Sequence, residues 1–229
     1  MSNAIMAQQH KAAIQEYVSQ NQDITIQVPI LGHGWSSCRS ILYRLVWKQD
    51  YRDDPTYNYE ERMTVQVEGH DVTLKLWVYD FYDFAFLAQL LPRRNVILLA
   101  YDITDRITFD HTKKVYAEIF GTAKQDKPTW VCAGKFERPP EDWAVSTQEG
   151  EQFSTAIGAK FMRFSGQTGY GLDDAFARQI ATDGLLDLAG VNYRGPSKPL
   201  HANSALKVRY LHLRALWEKV KNLFRRPSP

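Results

Sequence analysis

Gly32-His33-Gly34-Trp35-Ser36-Ser37-Cys38-Arg39-Ser40 follows the apolar run Ile24-Thr25-Ile26-Gln27-Val28-Pro29-Ile30-Leu31 and precedes the helical pattern Ile41-Leu42-Tyr43-Arg44-Leu45-Val46. A glycine-bearing loop between a strand and a helix is the setting of a phosphate-binding loop. The residues inside this one are of another kind. The pattern GxxxxGK[ST] needs a second glycine so that backbone N–H groups curl around phosphates, a lysine on the terminal phosphates and a hydroxyl on Mg²⁺. Counted from Gly32, those places hold Ser37, Cys38 and Arg39. Counted from His33, they hold Cys38, Arg39 and Ser40. Arginine is a competent phosphate ligand, but its planar guanidinium is not interchangeable with a lysine threaded under a tight loop. Cys38 and Trp35 add Cβ atoms where such a loop needs left-handed backbone angles, while Gly32 and Gly34 remain available for some of that strain.

Outward from this loop, apolar strand-like runs alternate with helix-like patterns, which favours a layered α/β domain. Strands are expected at Ile24 to Leu31, Glu60 to Val67, Val72 to Tyr79, Val96 to Tyr101, Thr129 to Ala133 and Lys160 to Phe164. The second and third alternate in phase (Met63, Val65, Val67, then Val72, Leu74, Leu76) around the turn cluster Glu68-Gly69-His70-Asp71, the mark of an antiparallel hairpin. Helical patterns at Phe84 to Leu91, Thr108 to Phe120, Thr147 to Ile157 and Leu172 to Leu186 supply the crossovers that parallel strands require. With the helix after the loop, this predicts a six-stranded, mostly parallel sheet with one antiparallel edge strand and about five flanking helices. The organisation that follows is a polar N-terminal extension over 1–23, partly helical, a domain over 24–188, a linker over 189–203 and a helix over 204–226.

In the order and spacing of these parts, residues 24 to 186 resemble a Ras-superfamily small GTPase of the Ras and Rab kind, with its P-loop NTPase fold. Asp54-Pro55-Thr56 is similar to the switch I segment, whose threonine meets Mg²⁺ and senses the γ-phosphate. The hairpin with Glu68-Gly69 follows at the family's spacing, and Ala100-Tyr101-Asp102-Ile103-Thr104-Asp105-Arg106 with Thr108-Phe109 is close to the consensus after the fourth strand. Ser165-Gly166-Gln167-Thr168-Gly169 resembles the SAK motif that flanks the base.

The nucleotide positions implied by that resemblance depart together. The DxxG motif falls at Val78-Tyr79-Asp80-Phe81; shifting the register to save Asp80 puts Asp83 at the glycine and Phe84 at the water-orienting glutamine. Without that glutamine the attacking water is not positioned, and hydrolysis already slow becomes negligible. The base-reading NKxD motif corresponds to Gly134-Lys135-Phe136-Glu137, where Lys135 can lie against a base and Glu137 accept from it, but Gly134 has no side chain to offer. The candidate nucleotide-binding residues are therefore Gly32, Gly34, Ser36, Ser37, Arg39, Ser40, Thr56, Lys135, Glu137 and Ser165. Ser40, Thr56 and Asp80 would hold a metal only if Mg-GTP is bound. The bland alternatives are a solvated Lys135 beside Glu137 in a surface charge cluster, and Cys132 as a plain core residue.

Elsewhere the chain is ordinary for a globular protein: 229 residues, 44% apolar, 24% charged, a net charge of +2 too small to imply nucleic acid, and two cysteines, which argues against a disulfide framework. The first 23 residues lack the apolar core of a signal peptide, and no long apolar run follows, so a cytoplasmic location is expected. Tyr79, Phe81, Tyr82 and Phe84, within Tyr79-Phe86, are more aromatics than one helix face buries, and the remainder would bind a protein partner. In the tail, Leu206, Tyr210, Leu213, Trp217, Val220 and Phe224 share a helical face beside Lys207, Arg209, Arg214, Lys219, Lys221, Arg225 and Arg226. Such a helix suits an anionic membrane surface, a partner groove or docking back on the domain. The closing Arg225-Arg226-Pro227-Ser228-Pro229 has no cysteine to prenylate, so that anchor is not expected.

The sequence thus leads to a pseudoGTPase adaptor or scaffold in signalling or trafficking, hydrolysis-deficient and weak in nucleotide binding, with no cofactor. The competing reading is a divergent GTP-binding switch with GTP or GDP and Mg²⁺, hydrolysis being partner-assisted or absent. A structural subunit of a larger complex is the third.

Overall fold

The computed structural model describes residues 3–33, 35–49, 60–80, 94–120 and 127–191. The chain divides into two compact units, Met1–Gly195 and Pro196–Pro229, of which the second lies outside the described residues together with the tail helix expected there. Along the first unit the elements are α1 (Asn3–Gln20), β1 (Thr25–Gly32), α2 (Trp35–Leu42), β2 (Glu60–Val67), β3 (His70–Asp80), β4 (Ile97–Asp102), α3 (Arg106–Phe120), β5 (Thr129–Gly134), α4 (Thr147–Ile157), β6 (Lys160–Arg163) and α5 (Asp174–Leu188). A π-helical turn, Tyr43–Trp47, continues α2.

The strands form one sheet in the order β2-β3-β1-β4-β5-β6. All neighbours are parallel except β2 and β3, so the hairpin supplies the antiparallel edge. Its turn residues Glu68 and Gly69 both have positive φ (48° and 81°), as a two-residue type I′ turn demands. β1 and β4, central and covered on both faces, are buried almost throughout, whereas β2 alternates and keeps Val65 and Val67 inside. Two apolar layers result. One packs Ile26, Val28, Ile30, Leu74 and Leu76 against α2 and α5; the other packs Leu31, Leu99, Tyr101 and Val131 against Phe109 of α3 and Ile157 of α4.

Six strands stand where the sequence puts them, to within about two residues. The N-terminal extension is a helix, α1, and Ile14 and Val18, one turn apart, carry it into the first apolar layer. Lys11 pairs with Glu68 at 3.2 Å across to the hairpin turn.

One expectation is corrected. The helix after the loop begins at Trp35, not at Ile41, and passes into the π turn at Tyr43. Trp35, Cys38 and Leu42 recur at helical spacing, and Cys38, Ile41 and Leu42 are buried, so an apolar stripe runs from the first turn. The turn ends at Lys48 in the left-handed region (φ 57°), and Lys48 donates to Asp174 Oδ1 at 2.6 Å. The helix expected at Phe84 to Leu91 lies outside the described residues.

Candidate functional site

In an open α/β sheet, ligands bind beyond the carboxyl ends of the strands. Here those ends are Gly32 of β1, Asp80 of β3, Asp102 of β4, Gly134 of β5 and Arg163 of β6. Gly32 aligns with Asp80 on one side and Ala100 on the other, and Ala100 with Cys132 beyond. The phosphate end of a nucleotide would sit over Gly32, the base end over Gly134 and the loop after β6.

The phosphate end carries little loop. β1 stops at Gly32 and α2 starts at Trp35, leaving only His33 and Gly34 between them, too short a segment to wrap amides around a phosphate chain. Cys38, at the lysine position counted from Gly32, is 1% exposed and belongs to the core, its Sγ filling the space in front of Gly32. A methyl at Gly32 would also meet Ala100 O at 2.7 Å, so glycine is needed there for close packing of strand and helix. Cys132 is likewise buried, no disulfide joins the two, and burial together with Cys38 pushes the Cys132 thiol far up.

Of the residues expected to meet Mg²⁺, Ser40 and the backbone of Asp80 are described. Ser40 lies against Gly166, in the loop beyond β6, while Asp80 ends β3, on the other side of β1 from that loop. Thr56 and Gly34 lie outside the described residues, as do the side chains of Ser36 and Asp80. Arg39 is half-buried in α2, with Nε inside the protein.

At the base end, Lys135 takes a left-handed conformation (φ 63°) and its Nζ sits 2.5 Å from Asp102 Oδ2. Asp102 is held in turn, its Oδ1 accepting from Thr104 N (2.9 Å) and Thr104 Oγ1 (2.7 Å). The lysine therefore ties β5 to the turn after β4. Ser165 Oγ accepts from Thr168 N at 2.9 Å and is engaged within its own loop. Phe136 packs between Trp143 (5.2 Å between ring centroids) and Tyr170 (5.6 Å, stacked), with the Arg163 guanidinium 4.6 Å from its centre. Among the described residues at this end, Ser37 Oγ and Glu137 Oε2 are buried without a hydrogen-bond partner.

Sequence reasoning missed Arg44. Its Nε donates to Gly166 O at 2.6 Å and its Nη2 to Gln167 O, clamping the π turn to the loop after β6. The available signal was its charge amid the apolar Ile41-Leu42-Tyr43 and Leu45-Val46.

Counted from Gly32, the lysine that would meet the phosphates of GTP or GDP is absent at the phosphate end. A core cysteine stands for the lysine and helix replaces loop. At the base end the acceptor Glu137 is retained and the asparagine amide is missing.

Comparison with known proteins accords with the topology. The profile of the Ras family matches residues 28–183. The Ras-related protein Rab-26 of Mus musculus is 30% identical over 114 residues, 49% of this chain and 44% of that protein. The Ras-related protein Rab-42 of Homo sapiens is 28% identical over 110 residues, 47% of this chain and 50% of that protein. The GTP-binding protein ypt2 of Schizosaccharomyces pombe is 25% identical over 122 residues, 51% of this chain and 60% of that protein. The chain thus spans about half the length of the curated relatives it matches.

Proposed function

Because this chain belongs to the Ras family of small GTPases, we propose that it is a pseudoGTPase, an adaptor that keeps the family's fold and binds protein partners without a nucleotide switch. The observation that carries this reading is Cys38, buried in front of Gly32 where a phosphate-binding lysine would stand. A lysine contributes a charge to the phosphates through a loop held open for it; a 1%-exposed thiol packed on strand backbone contributes neither charge nor space. The absent glutamine and the Asp83 that meets the DxxG glycine position in the rescued register point the same way.

Partner binding would run through the aromatic stretch Tyr79-Phe86 and the basic helix over 204–226, which also suits an anionic membrane surface. No described helix is long and apolar enough to cross a membrane. Acid extraction of the purified full chain, followed by chromatography, tests the reading. It expects no stoichiometric guanine nucleotide, and GTP or GDP released mole for mole would overturn it.

One observation favours the divergent-switch reading. Glu137 keeps a buried oxygen without a partner in the motif that reads guanine in the family, and such an atom is costly unless something donates to it. In that reading Arg39, Ser40, Thr56, Asp80 and Lys135 would hold Mg-GTP, and the same extraction would find it.

A further inference from the structure

Gly134 and Gly166 stand where the family's motifs, as the resemblance has them, carry an asparagine and an alanine. Neither glycine is among the residues with positive φ, so the backbone does not require glycine at either place. Space does. A methyl at Gly134 would lie 2.8 Å from Phe164 Cζ and 3.0 Å from Ser37 Oγ. One at Gly166 would lie 2.6 Å from both Cβ and Oγ of Ser40. Three and four residues separate Ser37, Ser40 and Arg44, so they share one face of α2 and its π turn. That face presses on both loops which would hold a base, and Arg44 closes it by donating to the carbonyls of Gly166 and Gln167. Arg44 also reaches under the left-handed Gly169 (φ 81°), where a methyl would come within 3.7 Å of Nη1. Lys48, at the end of the turn, grips Asp174 at the start of α5.

We infer that α2 with its π turn is the cleft's own occupant: Ser37, Ser40 and Arg44 fill the base end and order the loops Gly134–Glu137 and Ser165–Leu172 in place of a bound ligand. This deepens the pseudoGTPase reading and rests on it. The place of the alanine is then closed by the helix at Ser40, and that of the asparagine by Phe164 first and Ser37 of the helix next. The orphaned oxygens of Ser37 and Glu137 are what this closure leaves unmatched. Arg44 is a positioning residue, acting on the loop and not on any substrate.

Amide hydrogen exchange on the full chain tests this. Arg44→Gln removes the charged fork, and exchange should speed about tenfold or more at Thr168, Gly169 and Leu172, whose amides bond within that loop. Arg44→Lys, with a single donor head, should restore part of the protection. The amides of α4, whose Ile157 packs in the other apolar layer, should exchange as in the wild type. A second measurement stands whether or not Arg44→Gln folds: Gly166→Ala should loosen the same amides when Ser40 is present and far less in a Ser40→Gly background, because the clash is between those two residues. Unchanged exchange in Arg44→Gln, or a Gly166→Ala effect independent of Ser40, would overturn the inference. Nucleotide bound by the wild type is a separate result that defeats the pseudoGTPase reading itself; a wild type inert to nucleotide with unresponsive loop amides defeats only the occupant.

Discussion

Cys38 Sγ occupies the space that any side chain on Gly32 would enter, and so the first residue of the phosphate-loop pattern and the lysine position of that pattern are packed against each other. In a working loop the same two positions are held apart by phosphate. Here Cys38 belongs to one apolar layer with Ile30, Ala100 and Cys132. The consequence is that restoring the motif does not restore the site.

Cys38→Lys should destabilise the chain by more than about 3 kcal/mol, since an unpaired ammonium is placed in a fully packed region, and should confer no nucleotide binding. Urea unfolding measures it. A lysine variant of wild-type stability would mean that the loop opens freely.

Gly134→Ala should cost about 1–3 kcal/mol as overpacking against Phe164 and Ser37. Gly134→Asn should cost at least as much, although it completes the base-reading motif. Chemical denaturation of the two variants would detect this, and a stabilised asparagine variant would show the base end to be open.

Ser146 caps α4 and forms a reciprocal capping box with Glu149, which Arg106 of α3 also holds at 2.7 and 3.0 Å. Ser146→Ala should cost about 1 kcal/mol, or about 2–4 °C in Tm for a chain of this size. The Arg106 guanidinium first, and the Ser146 amide next, bring the Glu149 carboxyl down to about 2. A lowered carboxylate stabilises the fold fully above its ordinary value of about 4.3 and loses that contribution as the pH falls from there towards the folded value. Both partners are about two-fifths exposed, so water screens the pair and the effect is modest. Arg106→Gln should therefore melt below the wild type at neutral pH, with the gap shrinking as the pH falls below about 4. A gap constant down to low pH would remove Glu149 from the account.

For the tail, liposome flotation of the full chain on anionic vesicles, against a truncation before His201, should show binding only with the tail present. It should weaken with salt, as about 1 kcal/mol per basic residue at the surface fades within a Debye length. Equal flotation of both would discard the membrane role.

The sheet was legible because alternation and buried runs state which residues face the core: Val72, Leu74 and Leu76 on β3, and Ile97 to Tyr101 on β4, read directly as strands and are buried as such. The start of α2 was not read because its stripe opens on only Trp35 and Cys38, set among Ser36, Ser37, Arg39 and Ser40, and the helix also packs closely on Gly32, Gly134 and Gly166. α1 was only half visible for a similar reason, with Ile14 and Val18 its buried anchors in a polar segment. At the site, the missing phosphate ligands were visible as residue types, but their replacement by packing was not. A glycine that provides space reads the same as one that provides a turn, and the grip of Lys135 on Asp102 joins residues far apart in sequence.

Isothermal titration of the nucleotide-stripped full chain with GTP and GDP in the presence of Mg²⁺, paired with the melting temperature under the same conditions, bears on all of this most directly. A micromolar ligand at a hundredfold excess would add about 2.7 kcal/mol of stability and a clear rise in Tm. The account predicts no heat of binding and no rise. Saturable binding of either nucleotide with a matching increase in Tm would contradict it.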